Sequence, residues 1–145
     1  MAEIYDASVN PTAEDQRLVS IASRGTVSLG DGALIGGFVV VGNAPKTLLI
    51  RGIGPTLTSF GLVGALADPV LTIYDGSEAL ANNAGWANSA AIATAATQAG
   101  AFALTAGSRD AALLVTLKPG SYTAQVKAAQ SASSGVAMIE IYEVP

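Results

Sequence analysis

Acid–base chemistry in this chain would depend on its carboxylates, because its 145 residues include no His and no Cys. Hydrolysis of a glycoside needs two carboxylates that face one cleft at a defined separation, and the spacing of the acidic residues fixes no such pair. The composition also excludes a thiol nucleophile, a Ser-His-Asp triad and a zinc finger. We therefore expect no enzyme activity, no catalytic residue and no cofactor. The carboxylates considered are Asp68, Asp75, Glu78, Asp110, Glu140 and Glu143.

A calcium site would need several oxygen ligands in one compact loop. Asp75 and Glu78, followed by Asn82 and Asn83, are the best candidates, but no D-x-D-x-D-G spacing is present. Asp75-Gly76 is a strong turn dipeptide, so we assign these residues to a turn and expect no metal site.

Two arginines next to apolar strands indicate a structural ion pair. Arg51 lies inside an otherwise apolar run, and Arg109 with Asp110 adjoins another. Because guanidinium groups suit two-point pairing with carboxylates, we expect a buried or interfacial Arg–carboxylate contact that serves structure rather than catalysis.

Aromatic residues could form a ligand platform, since sugars stack on exposed rings. Trp86 and Tyr74 are the candidates, with Phe60 as a third. Only 6% of the residues are aromatic, so a role in the core remains the competing interpretation.

These side chains lie among short segments that favour β-strands. Residues 122–128 alternate apolar and polar side chains, which is the period of a half-buried strand. Together with residues 111–117 and the turn at Pro119-Gly120, they predict a hairpin. Further strands are expected at residues 17–23, 46–53, 70–74 and 136–144, with a buried strand at 33–41. The one helix candidate is the Ala-rich segment 89–98, with Asn88 or Ser89 as its N-cap.

Many short strands separated by Gly and Pro turns predict an all-β fold, an antiparallel β-sandwich with one short helix. Jelly-roll and Ig-like topologies both fit. We expect one sandwich domain over residues 17–145, preceded by an N-terminal strand and linker at 1–16.

Charge narrows the range of partners. The formal net charge is −4 and only 12% of residues are charged, so no basic surface is expected to bind nucleic acid. No apolar run reaches the length of a membrane span. Low charge indicates either a neutral surface of Ala, Ser, Thr and Gly, or a surface buried against other copies of the chain.

The two ends of the chain carry nearly the same tetrapeptide. Residues 3–6 read EIYD and residues 140–143 read EIYE. An extra β-segment at the front would leave backbone groups to pair, either within its own domain or with a neighbouring sheet edge. The candidate donor strand consists of Glu3, Ile4, Tyr5, Asp6 and Ala7.

Several segments resemble a repeat module of very large secreted proteins from Verrucomicrobia-type bacteria. In the first half the resemblance rests on residues 17–25, 34–39, 46–55 and 64–69. In the second half it rests on residues 71–76, Trp86, 117–123 and 135–142, which are also loosely similar to bacterial pre-peptidase C-terminal β-sandwich domains. The resemblance implies an extracellular β-sandwich used in tandem. It gives no information about activity.

The leading hypothesis is a structural, self-associating extracellular module, a filament or surface-array subunit joined by N-terminal strand exchange. One alternative is a carbohydrate- or surface-binding appendage with a surface glycan as its partner. The other is a single monomeric repeat cut from a tandem array, or a consensus design of one.

Overall fold

A computed structural model of the chain describes residues 20–28, 32–130 and 133–145. They form two antiparallel four-stranded sheets, one α-helix and one 3-10 helix. The 3-10 helix, Pro55–Phe60, follows the third strand, and the α-helix α1, Ala90–Gln98, lies between the fifth and sixth strands. The strands are β1 Ser20–Val27, β2 Leu34–Val40, β3 Lys46–Ile53, β4 Pro69–Asp75, β5 Glu78–Ala84, β6 Ala111–Leu117, β7 Gly120–Ala128 and β8 Gly135–Glu143.

The strand order identifies the topology as an eight-stranded jelly roll. Sheet A has the order β1-β8-β3-β6 and sheet B the order β2-β7-β4-β5. The strands pair in a nested order, in which the first strand of the chain pairs with the last. Thus β1 pairs with β8, β2 with β7, β3 with β6 and β4 with β5. The predicted antiparallel β-sandwich with one short helix is therefore confirmed, and of the two topologies left open the jelly roll is the one observed.

The main core lies between the two sheets and is built from alternate residues of each strand. In β7 these are Tyr122, Ala124 and Val126, the face that the period-2 pattern predicted. Leu71 and Ile73 of β4 meet them from the neighbouring strand. Burial of these side chains is the main force that holds the sheets together.

Strand β3 is covered on both faces. Leu48 and Ile50 point into the inter-sheet core, whereas Leu49 packs against the buried Ala95 and Ala96 of helix α1. The helix begins directly after Ser89, as predicted. Ser89 is its N-cap, since the Ser89 hydroxyl accepts a hydrogen bond from the Ile92 N–H (3.4 Å). This outer layer explains why the sequence of β3 is an almost continuous apolar run.

The hairpin predicted from residues 111–117 and 122–128 is wrong. Strand β6 pairs with β3 in sheet A, while β7 pairs with β2 and β4 in sheet B. The Pro119-Gly120 signal does mark a chain reversal, but the chain crosses between the layers there. The Tyr122 hydroxyl supports this crossing by donating to the Lys118 carbonyl (3.0 Å).

The prediction of a buried strand at residues 33–41 is also wrong for one face of β2. Burial alternates along the strand, and Ile35 and Val39 are exposed. An apolar run is typical of a strand covered on both sides, but no element among the described residues covers this face of sheet B.

Strand β5 was not predicted. Its sequence, EALANNA, has no β-branched and no aromatic residue, and propensity alone therefore favours a loop. The Asp75-Gly76 turn closes the β4–β5 hairpin, and this turn was the available signal for a strand on its far side.

Candidate functional site

The outward face of β2 carries a row of exposed aliphatic side chains at the edge of sheet B. Ile35 is 58% exposed, Val39 61% and Val41, just beyond the strand, 63%. Strand β2 pairs with β7 on one side and has no strand partner on the other within the described residues. Its seven residues include no charge and no Pro. Backbone N–H and C=O groups that are available along such an edge are a template for strand addition.

A buried ion pair lies on the outer face of sheet A, under the segment that follows α1. Arg51 of β3 is completely buried and Glu140, its register partner in β8, is 4% exposed. The Arg51 Nε donates to Glu140 Oε2 (2.8 Å), and Nη2 reaches the same oxygen. Nη1 donates to the Phe102 carbonyl (2.6 Å), and the Phe102 ring centroid lies 4.4 Å from the guanidinium carbon. This pair therefore ties the covering segment to the sheet.

The same cluster perturbs a tyrosine. Burial raises the pKa of the Tyr142 phenol, and the negative charge of Glu140 raises it further, against a smaller opposing effect of Arg51. Both main causes disfavour the phenolate in the folded state.

We expect this raised pKa to make stability fall in alkaline solution. A folded-state pKa above the unfolded value contributes stability that is complete below pH 10 and is lost as the pH rises through the folded-state pKa. Urea unfolding at about pH 8 and about pH 11 should show a smaller loss of stability for Tyr142→Phe than for the natural chain. An identical loss in both proteins would contradict the assignment.

Asp110 organises the loops at one end of the sandwich. Its buried carboxylate accepts hydrogen bonds from the Gly54 N–H (2.8 Å), from the Thr56 N–H and hydroxyl, and from the Ser108 hydroxyl. The Trp86 indole N–H donates to the Ser108 oxygen (3.1 Å). This carboxylate therefore links the segment after β3 to its own loop, and through Ser108 it also connects to Trp86.

The sequence-predicted charged residues therefore lie in three separate places. Arg51 pairs with Glu140, Arg109 pairs with Asp68, and Asp110 contacts neither arginine. An ion pair was expected at Arg51, but Glu140 was not predicted as its partner. Glu140 stands 89 positions away, and no local pattern connects the two.

Trp86 and Tyr74 do not form one platform. Trp86 is 8% exposed and packs with Ile53, Leu57 and Leu104. Tyr74 lies at the turn end of the β4–β5 hairpin, whereas Trp86 follows Ala84, which pairs with Val70 at the hairpin's other end. Four residues of strand separate these ends by about 13 Å. Sugar stacking would therefore depend on the half-buried Tyr74 or on Phe60, which is 64% exposed and packs edge to face against Phe102.

The concave surface at the Asp110 end is an open depression of about 400 Å³. Small residues and the Arg109–Asp68 pair line it, and Asn88 accepts a hydrogen bond from the Gly107 N–H (2.8 Å). Within the described residues, no group of three acidic side chains could hold a metal ion.

The candidate donor strand at residues 3–7 lies outside the described residues, as do the proposed linker up to residue 16 and the first three residues of the predicted strand at 17–23. In the part of the chain that is described, no helix is both long enough and apolar enough to span a membrane.

Fold and site together define the class as a jelly-roll β-sandwich with a packed interior and an uncharged sheet edge. No family model and no curated protein sequence matches the chain. Among solved structures, it is similar to the pre-peptidase C-terminal domain of a collagenase from Bacillus anthracis. That match has a TM-score of 0.50 and 15% sequence identity, and covers 91% of this chain and 98% of the collagenase domain. The similarity supports the β-sandwich fold and the loose resemblance found in the sequence.

Proposed function

We propose that this chain is a structural, self-associating β-sandwich module of a bacterial extracellular protein, without catalytic activity. We base the extracellular setting on the resemblance of the sequence to repeat modules of secreted proteins. The structural neighbour is described as a pre-peptidase C-terminal domain of a collagenase, so this fold occurs as one domain of a larger protein.

The absence of catalysis is supported by how the buried polar groups are used. Arg51, Glu140 and Asp110 are engaged in internal hydrogen bonds, and no buried side-chain polar atom in the described residues lacks a partner. Catalytic acids and bases must reach a substrate within hydrogen-bond distance. These three groups are instead enclosed by the protein.

Self-association is supported above all by one observation, the uncharged edge of β2 with its exposed aliphatic row. Monomeric proteins usually protect such an edge with charge, Pro or a bulge. Pairing with a strand from another copy would satisfy the backbone groups and cover Ile35 and Val39.

The strand that pairs in this proposal is the N-terminal segment, residues 3–7. If each copy gives its segment to the next, the contact is head-to-tail, and a head-to-tail contact that does not close into a ring produces a filament. The near-identity of residues 3–6 with residues 140–143 of β8 supports a β-forming tendency of the donor, because EIYE forms an internal strand of sheet A.

Deletion of residues 1–10 tests this function. We expect the full chain to form linear assemblies in negative-stain electron micrographs, and the deletion variant to remain a folded monomer because residues 20–145 contain all eight strands. Circular dichroism verifies folding of the variant. Ile4→Lys, which changes one side chain of the donor, should weaken assembly in the same direction.

Unchanged assembly after the deletion would refute strand exchange. A full chain that stays monomeric at every concentration would instead favour the interpretation as a single repeat of a tandem array.

A further inference from the structure

We infer that β2 is the acceptor edge and that it binds residues 3–7 of a second copy of this chain. This inference rests on the proposed self-association and adds the location of the contact. Among the residues that the structure describes, the jelly roll has four edge strands, β1 and β6 in sheet A and β2 and β5 in sheet B, and they differ in how well they could receive a strand.

The edges formed by β5 and β6 are both obstructed. The register of β5 against β4 shifts between Ile73 and Tyr74, and β5 begins with the exposed Glu78. A bulge and a charge are two of the devices that protect an edge from pairing. On β6, the Ala112 N–H already donates to Asn83 Oδ1 of β5 (3.0 Å). One backbone donor of the β6 edge is thus occupied within the molecule.

The β1 edge offers little for a new strand to cover. The outward residues of β1 are Ser20, Ala22, Arg24 and Thr26, which include one charge and no large apolar side chain. A strand that paired here would gain backbone hydrogen bonds but would bury little apolar surface, and apolar burial is the main favourable term in most protein association.

Strand β2 combines an open edge with apolar side chains. Of the exposed large hydrophobic residues in the described structure, Ile35 and Val39 lie on one face of β2 with Gly37 between them, and Val41 follows two residues later, just beyond the strand. If residues 3–7 pair as a strand, the same alternation would put Ile4 and Tyr5 on opposite faces. Whichever face is outward, the donor places one large apolar side chain beside the β2 row.

The charges near this edge are compatible with an acidic donor. The donor segment contains Glu3 and Asp6. Within β2 and its neighbour β7 the one charged residue is Lys127, and the exposed Lys118 precedes β7. Opposite charge between donor and acceptor steers association in a protein whose net charge is otherwise −4.

The length of chain between donor and body suits a contact with a neighbour. Twelve residues, 8–19, separate the donor from Ser20 of β1, and when extended they reach about 40 Å. For comparison, six residues, 28–33, are enough to connect β1 in sheet A to β2 in sheet B. Packed sheets are only about 10 Å apart, so the longer link is more than an internal crossing requires.

Cross-linking between copies tests the contact, and the absence of native Cys makes single-Cys variants specific. Tyr5→Cys protein is mixed with Val39→Cys protein and treated with a short bismaleimide. We expect a covalent dimer of the two variants, in clear excess over mixtures in which Ala22→Cys of β1 or Leu114→Cys of β6 replaces Val39→Cys. The double variant Tyr5→Cys/Val39→Cys, at assembling concentration, should link into chains of increasing mass.

Preferred linkage to β1 or β6 would overturn the inference and leave self-association standing. Linkage confined to single molecules of the double variant would show that the donor pairs within its own domain, and would overturn both. If the full chain neither assembles nor cross-links, the inference about β2 and the proposed self-association are both overturned.

A charge on the β2 row provides a second test that does not need cysteines. Val39→Lys should raise the concentration for half-maximal assembly by about tenfold or more, because the incoming strand would cover this side chain. Val63→Lys is the matched control, since Val63 is 93% exposed in a loop and the change in charge is identical. Equal effects of the two substitutions would overturn the inference.

The deletion of residues 1–10 and the Val39→Lys substitution together also distinguish two modes of pairing. In one mode β2 binds the N-terminal segment, and in the other β2 of one copy pairs with β2 of another. If the deletion of residues 1–10 still assembles while Val39→Lys does not, two β2 strands pair with each other. That result would overturn the assignment of the N-terminal segment as the occupant.

Discussion

Replacing Arg51 by Met is expected to lower the free energy of unfolding by about 3–5 kcal/mol, because it leaves Glu140 buried without its counter-ion. The substitution also removes the hydrogen bond to the Phe102 carbonyl and the contact with the Phe102 ring. Urea denaturation at fixed protein concentration measures the effect, since association itself changes apparent stability.

Arg109→Met is the matched control for this prediction. Arg109 also forms one ion pair, with Asp68, but its side chain is 69% exposed, and exposed pairs contribute about 0–1 kcal/mol. The double variant Arg51→Met/Glu140→Leu should recover most of the lost stability, because it removes both buried charges together. Equal losses for Arg51→Met and Arg109→Met would contradict the role assigned to the buried pair.

Replacing Asp110 by Ala is expected to cost at least about 3 kcal/mol. It removes the acceptor from two backbone N–H groups and two hydroxyls near the 3-10 helix, and each buried donor left without a partner costs about 1–3 kcal/mol. Asp110→Asn keeps the shape and one acceptor oxygen, so its effect should be intermediate.

The single Trp of the chain reports on this region directly, because Trp86 bonds to Ser108, which in turn bonds to Asp110. The urea unfolding midpoint from Trp fluorescence should fall for Asp110→Ala. Asp75→Ala, an exposed carboxylate at the end of β4, should stay within about 0.5 kcal/mol of the natural chain. A similar small change for Asp110→Ala would show that the network contributes little.

Individual elements were predictable from the sequence because their signals are local. The strand at 46–53 matches β3 at both ends, and the Ala-rich helix begins at its Ser89 cap. The alternation of Tyr122, Ala124 and Val126 identified the buried face of β7. Periodicity, caps and turn residues act over a few positions, so one sequence is enough to identify them.

Pairing between distant strands was not predictable in the same way. The turn at Pro119-Gly120 indicated a hairpin, yet β6 joins β3 and β7 joins β2 and β4. The partner of Arg51 depends on the register of β3 against β8, and neither strand encodes that register by itself. The exposed face of β2 was missed because an apolar run does not reveal which of its faces other elements cover.

The open edge of β2 can therefore be recognised from the fold but not from the sequence. An isolated stretch of Leu, Ile, Gly, Phe and Val is typical of a core strand. Its position at the end of sheet B leaves one side of the strand open within the described residues. Together with the acidic segment at residues 3–7, this position supports association rather than a closed monomer.

Sedimentation velocity of the full chain across a range of concentrations tests the central claim most directly. Head-to-tail strand exchange predicts that the average mass rises steadily with concentration and passes well beyond that of a dimer. A single species of 14.4 kDa at all concentrations, or growth that stops at a closed dimer, would contradict it.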